Sequence, residues 1–214
     1  MQGYADKKSE AKRPVASWPR ARIEEGLKRA FKSILVIGED DDHTVYDVAD
    51  RAFRFVVALV HVGGPKAGVT EVGFLARFVG FRPTDRVLRK LNGELHLADA
   101  FIEEGDLYVL AKIAVRKKFS DNKFALILGA WKRDMSFALQ ALNQASAAPA
   151  DYAADMLGFE PAAIAGRTGA FCKAYFWRNE PQILCPGCEG RGRRGFLARA
   201  CDDCEGRGFI DPTR

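Results

Sequence analysis

Apolar residues recur every three or four positions in three stretches of the chain, 17–36, 44–62 and 120–145. This spacing gathers apolar side chains on one face of a helix. Each stretch begins with a serine or a threonine, whose hydroxyl oxygen accepts a hydrogen bond from the free N–H groups at a helix N-terminus. The pattern therefore predicts three amphipathic helices, and we expect residues 17–180 to form a mainly α body, a helical bundle.

Residues 70–91 fit much of a helix-turn-helix motif, which needs a small residue where two helices cross and a glycine four residues later. Ala76 and Gly80 meet this spacing, although Val87 lies one position from the apolar residue expected in the second helix. Thr84 is the expected N-cap of a recognition helix. That helix would present four basic side chains to DNA: Arg82, Arg86, Arg89 and Lys90.

A second segment, 151–167, has the better helix-turn-helix spacing, with Ala154, Gly158 and Ile164 at the required positions. It offers fewer side chains suited to DNA, and Arg167 is the nucleic-acid contact that we assign to it. Any glycine turn between two amphipathic helices gives a similar pattern, so a purely structural role for both segments stays open.

The chain from 95 to 110 allows two structures. Apolar residues on both sides of 104–106 fit a β-hairpin, which would be the wing of a winged helix. A helix from Asp106 to about Lys118 fits the same apolar positions. Periodicity alone does not separate the two structures.

The composition is that of an ordinary globular protein, with 48% hydrophobic and 29% charged residues among 214. No apolar run reaches the roughly 18 residues needed to span a bilayer, and no secretory signal follows the first methionine. We therefore expect a cytoplasmic protein without a membrane partner. The net charge of +5 lies mostly in residues 1–30. Segment 1–16 is predicted to be a disordered basic arm, either a solvated tail or a nucleic-acid contact.

Four of the five cysteines lie close together, as the pairs Cys185/Cys188 and Cys201/Cys204. Two C-x-x-C pairs at this separation are typical of a structural zinc site, in which four thiolates surround one Zn²⁺ at about 2.3 Å. Disulfides are less favoured without a sign of secretion. A redox dithiol needs only one such pair, on a helix after a strand. The pattern predicts one structural Zn²⁺ bound within residues 181–214.

Both cysteine pairs continue as C-x-x-C-x-G-x-G, over 185–192 and 201–208. Glycine is expected there because each turn has to bring backbone N–H groups toward the sulfur atoms, which requires positive φ. The repeat resembles that of the DnaJ-type co-chaperones, although two copies stand here instead of four and the His-Pro-Asp signature of the J-domain is missing. Over 185–208 the chain also resembles the antitermination protein Q family of lambda-like phages and related prophage proteins.

The resemblance to the antitermination family implies a DNA-binding transcription regulator that also acts on RNA polymerase. Arginine on a stiff, glycine-rich loop suits contacts with phosphates, whereas a soluble turn on a zinc module is the alternative for the same loop. The arginines concerned are Arg191, Arg193, Arg194 and Arg199. The alternative function is a zinc-stabilised protein-interaction module, either chaperone-like or a phage inhibitor of a host complex.

No catalytic motif emerges from the sequence. The chain has no phosphate loop, nucleophile elbow or His-Glu-x-x-His motif, and its three histidines are scattered. Cys172 lies in an apolar run and is expected to be buried. We therefore expect neither an enzyme nor a small-molecule substrate, although the acidic metal ligands of a nuclease, drawn from distant segments, would leave no local signature.

Overall fold

The computed structural model describes residues 17–64, 68–81, 83–116, 119–145, 159–177 and 180–211. Helices make up 35% of these described residues and strands 32%. The strands of the body form a six-stranded antiparallel sheet. The prediction of a mainly α helical bundle over 17–180 is therefore wrong.

The body follows the order helix, four strands, helix, two strands and three helices. Its helices are α1 Arg20–Ala30, α2 Asp85–Glu94 and α3 Asp121–Ala145, followed by α4 Pro161–Ile164 and α5 Thr168–Phe176. Its strands are β1 Ser33–Glu39, β2 His43–Ala49, β3 Arg54–His61, β4 Val69–Phe78, β5 Asp99–Glu103 and β6 Asp106–Ala114. They lie in the order β1-β2-β3-β4-β6-β5, and every neighbouring pair is antiparallel.

Helices cover both faces of this sheet. On one face, the fully buried Trp131 of α3 stacks against Phe74, and its ring centroid lies 5.4 Å from that of Phe55 as well. On the other face, α5 packs Phe176 so closely over Gly73 that a Cβ at this glycine would collide with the aromatic ring. The sheet is thus the middle layer of three, with apolar contacts on both sides.

Burial on both faces explains why a helix over 44–62 is the wrong prediction. Six of the eight residues of β3 are buried. A strand between two layers has a nearly continuous apolar run, so the same residues also satisfy helical spacing. The helix predicted over 17–36 is right only as far as Ala30, because the β-branched run after it forms β1.

The helix-turn-helix motif predicted over 70–91 is wrong. The first helix of segment 70–91 is instead strand β4, although Thr84 does cap α2, with its hydroxyl oxygen accepting the N–H of Val87 at 3.4 Å. Residues 151–158 of the second segment lie outside the described residues, and its remainder contains the short α4. The hairpin turning at 104–106 is confirmed, but it belongs to the main sheet and is not a wing.

The helix predicted over 120–145 is confirmed as α3. Within the part of the chain that the structure describes, no helix combines the length and the apolar character needed to cross a bilayer.

A buried carboxylate fixes the loop between α2 and β5. Asp134 of α3 is fully buried and accepts the backbone N–H groups of three successive residues at 2.7–2.9 Å: His96, Leu97 and Ala98. Charge-assisted bonds to backbone donors are stronger than neutral ones, so the loop is held rigidly against α3.

The C-terminal segment contains four two-residue strands and one 3₁₀-helix: β7 Ile183–Leu184, β8 Arg193–Arg194, β9 Arg199–Ala200, β10 Phe209–Ile210 and the 3₁₀-helix Asp202–Cys204. Its first residues extend the main sheet, because Gln182 donates to the carbonyl of Lys112 and accepts from the N–H of Ala114 beyond the end of β5. Phe209 is buried in the main core, and Leu184 packs against that core. The segment is therefore joined to the body through both the sheet and the core.

Asp134→Ala is expected to lower the free energy of unfolding by about 3 kcal/mol, because it leaves three backbone donors without their acceptor. Asp121→Ala on the same helix is the control, since Asp121 pairs with Arg22 at the surface and such pairs contribute less than about 1 kcal/mol. Urea unfolding of the two variants measures both values. Equal losses would contradict the role assigned to Asp134.

Candidate metal centre and the hairpin it holds

The four cysteine sulfurs of the C-terminal segment meet at one point. All four Sγ atoms lie within 4.8 Å of one another, and the side chains are buried. The Sγ atoms of Cys185 and Cys201 are 3.9 Å apart, and those of Cys188 and Cys204 are 3.7 Å apart. Four ligands at about 2.3 Å from a tetrahedral metal are about 3.8 Å from one another. The four cysteines therefore form a candidate site for a single metal ion.

The two cysteine turns are related by an approximate two-fold symmetry in their backbone hydrogen bonds. The N–H of Cys185 donates to the carbonyl of Gly208, and the N–H of Cys201 donates to the carbonyl of Gly192, both at 2.9 Å. The first cysteine of each turn is thus bonded to the last glycine of the other. This reciprocal pairing follows directly from the repeated C-x-x-C-x-G-x-G pattern.

The glycines have the role predicted from the sequence. Gly192 and Gly208 both have positive φ, and their N–H groups donate to the Sγ atoms of Cys188 and Cys204 at 3.2 Å. A Cβ at Gly192 would also collide with the backbone carbonyl of Gly206 in the opposite turn. Glycine is required here by both conformation and close approach.

Electrostatics favours a bound cation at this point. Burial and hydrogen bonds from neighbouring sulfurs raise the pKa of the Cys204 thiol, although the Gly208 N–H opposes this effect. Four thiolates this close repel one another, and a divalent metal removes the repulsion. All four positions around the metal would be filled by sulfur, so none is open to a substrate or water. Such a closed set is the arrangement of a structural metal site.

Cys172 lies away from this centre, in α5. The side chain is buried against the second face of the sheet, and burial raises its pKa to about 12. Cys172 is not part of the group of four cysteines that could hold a metal ion. The expectation that Cys172 contributes packing fits its position.

Between the two cysteine turns lies a short β-hairpin. β8 pairs with β9, so that Arg194 is opposite Arg199 and Arg193 is opposite Ala200. The tip carries Phe196, which is fully exposed, and Leu197, which is 70% exposed. Sequence reasoning did not assign a function to these two residues, although they form an apolar pair in an otherwise basic loop.

The four arginines predicted as nucleic-acid contacts divide into two pairs. Arg194 and Arg191 have partners within the module. Arg194 donates to the carbonyl of Gly187 at 2.8 Å and pairs with Asp203, and Arg191 donates to the carbonyl of Cys188 at 3.1 Å. Arg193 and Arg199 are exposed and have no ion-pair partner among the described residues.

The basic residues predicted in the recognition helix lie partly where expected. Arg86, Arg89 and Lys90 are exposed on α2, whereas Arg82 lies outside the described residues. Arg167 is exposed before α5, and α5 packs on the sheet face opposite to α2. The structure therefore does not bring Arg167 together with the other predicted contacts.

An open cleft of about 650 Å³ separates the end of α2 from the β8–β9 hairpin. Gly93 and His96 line one side, and Arg193 and Arg207 line the other. The Nε–H of Arg207 donates to the carbonyl of His96 at 3.4 Å and so bridges the C-terminal segment to the loop held by Asp134. The sequence did not predict the contact between Arg207 and His96, although Arg207 has the same position in its repeat as Arg191.

Comparison with known proteins gives no family for the chain. No protein-family model matches it, and no curated protein matches it significantly. The resemblance to the antitermination family over 185–208 therefore stays a prediction. Any function has to be inferred from the metal centre and the surface around it.

Cys204→Ser is expected to abolish stoichiometric metal binding, because hydroxyl is a poor replacement for thiolate in a four-sulfur site. Elemental analysis of the purified protein should give about one metal per chain for the wild type and much less for the variant. Cys172→Ser is the matched control and should keep its metal. Wild-type protein without any bound metal, or loss of metal from Cys172→Ser, would contradict the assignment of the four ligands.

Proposed function

We propose that the metal is a structural Zn²⁺ and that the protein is a DNA-binding transcription regulator. Four thiolates in a tetrahedron select zinc or iron, and zinc is the usual ion of paired C-x-x-C turns. A zinc centre is colourless in the visible range, whereas an iron–sulfur centre absorbs there. An absorption spectrum of the purified protein therefore distinguishes the two metals.

One observation carries the proposal of DNA binding. Two basic elements about one hundred residues apart in the sequence, α2 and the β8–β9 hairpin, border the same cleft. Arg89 lies one helical turn before Gly93, and Arg86 lies about 10 Å from Gly93 along the helix axis. Arg193 lines the cleft, and Arg199 lies on the other face of the hairpin, opposite Arg194. Together with Arg86 and Arg89 they are four exposed cations that can contact a phosphate backbone.

The shape of the hairpin also supports a DNA partner. A two-stranded β-ribbon fits the major groove of duplex DNA, and arginine is the residue most often found reading guanine there. Metal coordination fixes both ends of this hairpin, so little conformational entropy would be lost on binding. We propose that the hairpin enters a groove while α2 contacts the adjacent phosphates.

Local charge limits the strength of this interaction. A zinc ion with four thiolates carries a formal charge of −2. The positive charge of Arg194 is already paired with Asp203. Acidic residues surround the cysteine turns: Glu189, Asp202, Asp203 and Glu205. Affinity would therefore depend on the few unpaired cations and would fall strongly with salt.

Action on RNA polymerase and antitermination remain part of the proposal on the basis of the resemblance over 185–208 alone. The second candidate function is a zinc-stabilised protein-interaction module. It is favoured by the exposed apolar tip, since Phe196 and Leu197 are the type of side chains that anchor protein interfaces. In that case Phe196→Ala would weaken partner binding, and DNA would bind poorly at any salt concentration.

The zinc-loaded protein is expected to bind a random-sequence duplex of roughly 30 base pairs, about three helical turns. Four cations at phosphates predict a slope of log affinity against log salt of about −3.6. The double variant Arg193→Ala/Arg199→Ala should bind about tenfold more weakly, with the slope reduced in magnitude by about 2. Fluorescence anisotropy at several salt concentrations measures both quantities.

The control is the double variant Arg29→Ala/Arg51→Ala, which removes two exposed charges from α1 and from the turn between β2 and β3. It should leave the slope nearly unchanged. Wild-type protein that fails to bind the duplex at low salt would overturn the DNA proposal and favour the protein-interaction module. Equal effects of both double variants would show that only net charge matters.

A further inference from the structure

Strand β1 is an outer strand of the main sheet with an unusual surface. Its seven residues pair only with β2 among the described elements, and its other side presents backbone donors and acceptors without a strand partner there. Leu35 is 61% exposed and Val36 is 45% exposed, on opposite faces of the strand. Exposed apolar edges of this kind favour pairing with another strand.

The other outer strand has different properties. β5 has five residues, and acidic side chains flank its turn at Glu103 and Glu104. Short, charged edges are how sheets avoid pairing with other chains. Ile102 is its exposed apolar residue, at 37%. The two edges of the same sheet therefore differ in length, charge and apolar exposure.

The sequence of the β1 edge is complementary to itself in the antiparallel direction. Residues 32–39 read Lys-Ser-Ile-Leu-Val-Ile-Gly-Glu, with a cation at one end and an anion at the other. Two copies related by a two-fold axis at Leu35 would place Leu35 opposite Leu35 and Ile34 opposite Val36. Ile34 packs toward the face of the sheet that α1 and α3 cover, and by alternation Val36 lies on the same face. Two residues that lie directly opposite each other in an antiparallel pair have to share a face, so this requirement is met.

A β-bulge brings the charged ends into register. The pairing of β1 with β2 shifts by one residue between Val36 and Gly38. Ile37 and Gly38 both lie toward α4 and α5, so together they would oppose the single residue Ser33 of the second copy. Lys32 then lies opposite Glu39, whose carboxylate is on the α1 face beside Arg20. Without the bulge, these opposite charges would not face each other.

We propose that β1 pairs antiparallel with β1 of a second copy of this chain, which forms one continuous twelve-stranded sheet. The pair buries Leu35 and Val36 of both copies and satisfies the outer backbone groups of both strands. Two Lys32–Glu39 contacts fix the register. This proposal is independent of the metal centre and of DNA binding.

Sedimentation equilibrium of the full zinc-loaded chain tests the proposal. At roughly 100 µM, where a complex with a micromolar Kd is formed, the wild type should be a dimer. Leu35→Lys, which would place two cations against each other on the axis, should raise the Kd at least tenfold. Ile102→Lys adds the same charge to the other outer strand and should leave the Kd unchanged. A monomeric wild type, or equal dissociation of both variants, would overturn the proposal.

Charge exchange tests the register itself. Lys32→Glu and Glu39→Lys should each weaken self-association, because each would place like charges opposite each other twice. An equimolar mixture of the two variants should recover association, since both contacts in the mixed dimer join opposite charges. Circular dichroism checks that each variant is folded. If the mixture associates no more strongly than the separate variants do, this register is excluded. If Glu39→Lys does not fold, the comparison of Leu35→Lys with Ile102→Lys still tests whether β1 is the strand that pairs.

Discussion

The convergence of four sulfur atoms on one point is the constraint on which the C-terminal segment depends. From 185 to 208, the buried residues are the four cysteines and two glycines, Gly192 and Gly208. A segment this short that buries so little apolar surface has no hydrophobic core of its own to offset the loss of chain entropy. The reciprocal hydrogen bonds between its two turns form only when the sulfurs are together. We therefore expect metal binding and folding of this segment to be one equilibrium.

The same constraint positions the surface proposed to bind DNA. Because the two cysteine turns are fixed, the hairpin between them has a defined orientation. Arg194 pairs with Asp203, and Arg193 lines the cleft. The segment is joined to the body through Gln182, Phe209 and Arg207. Arg207 reaches the loop that Asp134 holds, so the orientation of the hairpin relative to α2 depends on a carboxylate in the body.

Sequence reasoning succeeded where chemistry restricts the residue type and failed where burial hides periodicity. The four cysteines and their glycines were predictable because a tetrahedral metal site and its N–H···S bonds tolerate few alternatives. Helix α3 was predictable because one face is solvated. Strand β3 was misassigned because layers on both sides make nearly every residue apolar, and alternation disappears. The cleft between α2 and the hairpin depends on packing between distant segments, which has no local signal.

Hydrogen–deuterium exchange of the metal-loaded and the metal-free protein tests most directly whether one metal ion holds the hairpin in place. Metal removal is then expected to raise exchange throughout 183–210, and the increase should extend to the loop at 95–98, which Arg207 contacts. Strands β2, β3 and β4 should stay protected, because their core does not include the four cysteines of the metal site. Unchanged exchange over 185–208 after metal removal would contradict this role of the metal.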